Sequence, residues 1–198
     1  ACGPPAGAVA GSAAAAYLAS VEHGESGSGP AFQRAGAALL RLGRHGEAAA
    51  AFECALDDPA LGAKRAGVLL NLGAARVGMA EYEAALGAYQ EVLDTPGYPT
   101  PHKAWLGRAR ALTEMGRHEE AADAYREAVL DESNPNSGKA LNNLGLTYMT
   151  LGRPEEAAEA YRAALDLSGY NGKARTATNL GLAYAYMNRA GEAVDSFE

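Results

Sequence analysis

The chain has 198 residues, 48% of them hydrophobic, and a net charge of −7. That is room for one domain or a row of small units, and an apolar fraction dominated by alanine favours close helix contacts over one bulky core. Two distant cysteines, Cys2 and Cys54, exclude a disulfide framework or zinc knuckle, and no apolar run approaches the roughly 18 residues of a membrane span.

The chain opens on Ala1-Cys2-Gly3, which matches the scar of a bacterial lipoprotein cleavage site, although tag residues give the same triplet. Next, "GSAAAAYLASVEHG" from Gly11 overlays "GEAAAAFECALDDP" from Gly46, with Tyr17 upon Phe52. Residues 1–28 are therefore expected to hold the second helix of a preceding repeat, or an N-terminal capping helix, followed by a loop.

From residue 29 onward one pattern recurs. "LGRHGEAAAAFECAL" from Leu42, "MGRHEEAADAYREAV" from Met115 and "LGRPEEAAEAYRAAL" from Leu151 are near copies, and Val77 and Tyr186 begin two more. The copies align on Phe52, Tyr89, Tyr125, Tyr161 and Phe197, spaced 37, 36, 36 and 36. Four residues before each aromatic is an alanine (Ala48, Ala85, Ala121, Ala157, Ala193), and three after it comes Ala55, Val92, Ala128 or Ala164. These offsets place all three on one helix face. Nine before stands Gly43, Ala80, Gly116, Gly152 or Asn188, at a turn; sixteen before stands Gly36, Gly73, Ala109, Gly145 or Gly181. Each copy thus reads as a helical hairpin. First (A) helices are predicted near 30–42, 63–78, 102–115, 138–151 and 173–187. Second (B) helices are predicted near 46–57, 81–94, 118–131, 154–167 and 190–198. The repeats fall near 29–65, 66–101, 102–137, 138–173 and 174–198, the last incomplete, which suggests a piece of a longer array.

These residues resemble the tetratricopeptide repeat: "NLG" in helix A, Tyr148 or Tyr184 three residues later, Gly152 at the turn, then Ala157, Tyr161 and Ala164 in helix B, with Trp105 early in the third copy. The resemblance covers nearly all of residues 29–198. It implies an all-α fold, a right-handed α-α superhelix or solenoid of helix-turn-helix repeats, in which A helices line a concave groove. The period of 36 is longer than the usual 34, Arg108 stands where leucine is usual, and the glycine-rich turn of Sel1-type repeats is absent.

Catalytic chemistry is not legible. "SGK" at Ser137–Lys139 and "NGK" at Asn171–Lys173 lack the glycine and the preceding strand of a phosphate loop. His45 and His118 share one repeat position beside the turn and read as packing groups; His23 and His102 have no partner at ligand spacing. Cys54 has no basic neighbour to activate it. No catalytic residue, metal site or cofactor is predicted.

Charge says more. The A helices hold eleven Lys/Arg and one acid, Glu114, while everything else holds six and twenty-three, so +10 and −17 make up the net −7. A basic groove inside an acidic shell attracts an acidic ligand. Cations that open A helices (Lys64, Arg65, Lys103, Lys139, Lys173, Arg175) oppose the helix dipole. Either a ligand offsets this, or they pair with Asp57, Asp58, Asp94, Asp131, Glu132 or Asp166 of the preceding B helix. Asn71, Asn143 and Asn179 occupy equivalent A-helix positions. In related repeats this amide grips a peptide backbone; the alternative is a bond to a neighbouring helix. The Lys/Asn/Arg set of a two-carboxylate clamp is missing.

The expected function is a non-catalytic protein-protein interaction scaffold for an acidic, partly apolar peptide. Its site residues are Arg34, Asn71, Lys103, Arg110, Lys139, Asn143, Arg175 and Asn179, with Leu70, Leu106, Leu146, Met149, Leu182 and Tyr186 as apolar groove residues. The alternative is an assembly module that self-associates through open repeat ends. Overall acidity argues against nucleic acid. Composition suggests a bacterium of high genomic GC content. The sequence does not reveal the compartment; the cytoplasm is the first expectation, with export or lipoprotein anchoring as alternatives.

Overall fold

The computed structural model describes residues 29–131 and 134–197. The expected helix around Tyr17, together with Cys2, His23 and Glu132, lies outside them. All regular structure among the described residues is helical, and the chain divides into two compact units, one through Tyr98 and one from Pro99.

The first unit packs α1 (Gly29–Arg41) on α2 (His45–Leu56), α2 on α3 (Arg65–Gly78), and α3 on α4 (Tyr82–Leu93). The second contains α5 (Pro101–Glu114), α6 (His118–Leu130), α7 (Ser137–Thr150), α8 (Pro154–Asp166), α9 (Lys173–Tyr186) and α10 (Ala190–Phe197), each packed on the next. Helices begin and end within about two residues of the positions expected from the repeat. One departure is a 3₁₀ segment, Pro59–Lys64. Asp58 caps it through Ala60 N, and Gly62, at φ 49°, breaks the helical path, so α3 starts at Arg65 rather than 63.

All five hairpin turns are built alike. The N–H groups of Arg44, Glu81, Arg117, Arg153 and Arg189 donate across the turn to the carbonyls of Leu39, Arg76, Leu112, Tyr148 and Tyr184 at 2.9–3.0 Å. This six-to-one bond needs a left-handed residue just before it. Gly43, Ala80, Gly116, Gly152 and Asn188 supply it, at φ between 58° and 73°.

The repeated small residues explain the core. Ala48, Ala85, Ala121 and Ala157 are wholly buried, as are Phe52 and Tyr161. A Cβ added to Gly36 would lie 2.7 Å from the Phe52 ring, and one on Gly73 would lie 2.6 Å from Tyr89. Gly145 meets Tyr161 in the same way. Each ring thus lies across its own hairpin, filling the volume that alanine and glycine leave. His45 packs against Gly78, where a Cβ would collide with the imidazole.

Candidate functional site

Two classes of cation separate in the structure. The arginines at the turns are paired with carboxylates three residues on: Arg44 with Glu47, Arg117 with Glu120, Arg153 with Glu156 and Arg189 with Glu192. Arg153 and Arg189 also lie over Tyr148 and Tyr184, 4.9 and 5.0 Å from the ring centroids. By contrast, Lys103, Arg110, Lys139 and Arg175 are exposed on A helices, and no ion pair links any of them to a described carboxylate.

Arg65 departs from the pairing expected across the interhelix loops. Arg65 donates to the Leu56 carbonyl at 3.2 Å and approaches Glu91 at 3.8 Å. Two loop aspartates, Asp58 and Asp131, instead bind the start of their own hairpin. Asp58 accepts from Gly29 N at 2.6 Å; Asp131 accepts from His102 N at 3.3 Å and lies 2.8 Å from His102 Nδ1.

In the second unit, α5 and α7 flank a cleft of about 480 Å³. Five residues predicted from the sequence meet there: Leu106 and Arg110 from α5, and Lys139, Asn143 and Leu146 from α7. Tyr125 reaches it from α6, its hydroxyl close to the side chains of Thr113 and Asn143. Burial pushes this phenol above its ordinary pKa, and those two hydrogen bonds partly offset the effect. Thr113, Thr147 and Thr150, which the sequence reading passed over, complete the walls, along with His118 and Glu114.

The remaining predicted residues lie elsewhere. Lys103 precedes the cleft on α5, half-buried Met149 is not part of its lining, and Arg175, Leu182 and Tyr186 are exposed on α9. Asn179 takes the neighbouring-helix role: its NH₂ donates to Asn142 Oδ1 at 3.0 Å. Asn142 is buried and also accepts from the Thr176 hydroxyl at 3.0 Å, which in turn meets the Tyr170 hydroxyl at 2.9 Å. That donor of Asn179 is engaged within the fold, whereas the exposed Asn143 borders the cleft. In the first unit, Arg34 is exposed on α1, and Leu70 and Asn71 are half-buried on α3.

Among the described residues, no group of histidine, cysteine, aspartate and glutamate side chains could hold a metal ion, and no helix is long and apolar enough to cross a membrane.

Stacked hairpins with a shared turn, a ring-on-glycine core and side chains gathered between successive A helices define a helical-repeat solenoid of the protein-interaction kind. Tetratricopeptide repeat models match residues 70–137 and 136–198, and the chain belongs to that family. A crystal structure of MamA is 25% identical, with a TM-score of 0.68 over 82% of this chain and 90% of that one. MamA from Desulfovibrio magneticus RS-1 (residues 41 to the end) is 20% identical, with a TM-score of 0.71 over 85% and 90%. YrrB, described as a TPR protein with an unusual peptide-binding site, is 20% identical, with a TM-score of 0.67 over 93% and 90%. The two likenesses at 20% identity speak for the fold alone. No curated protein sequence matches the chain.

Proposed function

We propose that this protein is a non-catalytic scaffold that binds an acidic, partly apolar peptide segment against the A helices of its second unit. Lys103, Arg110, Lys139 and Arg175 draw the segment in, Asn143 holds its backbone, and Leu106, Leu146, Leu182 and Tyr186 take its apolar side chains. Arg34, Leu70 and Asn71 place the same residue types on the A helices of the first unit. The observation that carries this reading is the split between cations: turn arginines are neutralised by neighbouring carboxylates, whereas Lys103, Arg110, Lys139 and Arg175, exposed on A helices of the second unit, make no ion pair with a described carboxylate. Unpaired charge of one sign beside an apolar cleft steers and retains a ligand of the other sign. The peptide-binding site in the name of YrrB agrees with this use of the fold.

Fluorescence anisotropy with a glutamate-rich peptide and a lysine-rich counterpart tests the proposal. The acidic peptide is expected to bind more tightly, and its affinity to fall as salt rises. Reversing Lys103, Lys139 and Arg175 to glutamate is expected to abolish both the preference and the salt dependence; an unchanged response would refute the mechanism.

The assembly alternative is self-association through the ends of the repeat array. Sedimentation over a range of concentrations decides this reading, since a monomer throughout would remove it.

A further inference from the structure

Two successive A-helix junctions in the second unit have equivalent positions but different chemistry. Between α7 and α9 the helices are zipped: Asn142 Oδ1 accepts from Thr176 and Asn179, and Tyr161 beneath is wholly buried. One repeat earlier, Leu106 stands in place of Asn142 and offers no acceptor, so α5 and α7 lack that zip. Thr113 stands in place of Met149, a side chain two heavy atoms longer along its axis. That junction is the one with the 480 Å³ cleft.

The cleft is more apolar than its sequence suggests. Thr113, Thr147 and Thr150 each donate their hydroxyl to the carbonyl four residues back, at Ala109, Asn143 and Leu146, at 2.9–3.0 Å. Such back-bonding satisfies the hydroxyl locally and leaves the methyl as lining. With Leu106, Ala140 and Leu146 these methyls make a largely hydrocarbon wall. Arg110 and Lys139 stand at its rim, and Glu114 is the sole carboxylate of the lining. The volume falls in the roughly 300–1,000 Å³ range of built ligand sites.

We infer that this cleft is an anchor socket for one aromatic side chain flanked by carboxylates in the bound segment, opened by Leu106 and Thr113 where the next repeat carries Asn142 and Met149. The inference rests on the acidic-peptide reading above and adds to it a single defined point of specificity. The ring fills the hydrocarbon wall, and the flanking carboxylates meet Arg110 and Lys139.

The test uses the whole chain and two fluorescent peptides of alternating glutamate and glycine, one with a central phenylalanine and one with alanine there. The phenylalanine peptide is expected to bind about tenfold more tightly or better. Thr113→Met, which installs the residue already accommodated one repeat on, is expected to erase that difference while leaving the alanine peptide unaffected. Thr150→Leu, at an exposed wall position, is expected to act in the same direction, with thermal unfolding as the check on folding. Equal binding of the two peptides to the parent protein, or a difference that survives both substitutions, overturns the socket and leaves the acidic-peptide reading standing. Failure of both peptides to bind overturns the two together.

Discussion

The helical glycines divide by what surrounds them. Gly73 faces the Tyr89 ring so closely that even a methyl must displace it, whereas Gly67 on α3 and Gly87 on α4 face open space. Gly73→Ala is expected to destabilise the protein by about 1–3 kcal/mol through overpacking, and Gly67→Ala to stabilise it by about 0.5–1 kcal/mol through helix propensity and chain entropy. Urea titrations read both. Ala80 adopts φ 60° at a turn where three other repeats use glycine. Its Cβ is strained there, and Ala80→Gly is expected to raise stability by about 0.5–1 kcal/mol, less than the full left-handed penalty because glycine also loosens the unfolded chain. The sequence exposed this site through its register. The sign of the strain needed the backbone angle.

Hairpins are fastened by contacts of two ranges. Short-range Arg–Glu pairs three residues apart tie turn to B helix, holding Glu120 and Glu156 below the usual carboxylate range through their hydrogen bonds to Arg117 and Arg153. Longer clasps join Asp58 to Gly29 and Asp131 to His102, 29 residues apart in both cases. Backbone donors at Ala60 and then Gly29 lower the pKa of Asp58 below its ordinary 3.8. Its stabilisation is therefore fully present above the ordinary carboxylate range and is lost as pH falls through the lowered value. Asp58→Asn is expected to be less stable than the parent at neutral pH, with the gap closing under acid; thermal unfolding across pH measures it. Helix positions were legible because alanine, aromatic and turn residue repeat in register. The 3₁₀ segment was not, because residues 58–62 read as a plain loop between the helices expected at 46–57 and 63–78, and only the backbone angles reveal the short helix and its break at Gly62. The clasps were missed because the sequence reading matched aspartates to flexible cations rather than to the N–H groups that open each hairpin.

For the whole molecule, the repeat and the charge contrast were visible in spacing and composition, and the family and fold class followed from the resemblance that the repeated residues carry. The cleft was visible only in part. Leu106, Arg110, Lys139, Asn143 and Leu146 carry the expected signals of charge, amide and apolarity, and they converge. Thr113, Thr147 and Thr150 do not, because a threonine reads as polar until its hydroxyl is seen bonded to its own helix. For Asn179 the spacing left two roles open, and the bond to a neighbouring helix could not be singled out because its partner Asn142 lies 37 positions away, on another A helix. If the exposed A-helix cations govern binding, affinity for an acidic peptide falls steadily with ionic strength, while the buried hairpin cores leave unfolding temperature much less sensitive to salt.

The aspartate clasp has a consequence for how such a chain can lengthen. In the first and third repeats the fastening joins the beginning of a unit to that unit's own end, so a duplicated segment of 36 codons would arrive with its latch already included. Growth by copying then requires nothing of the neighbour except a helix face to rest on.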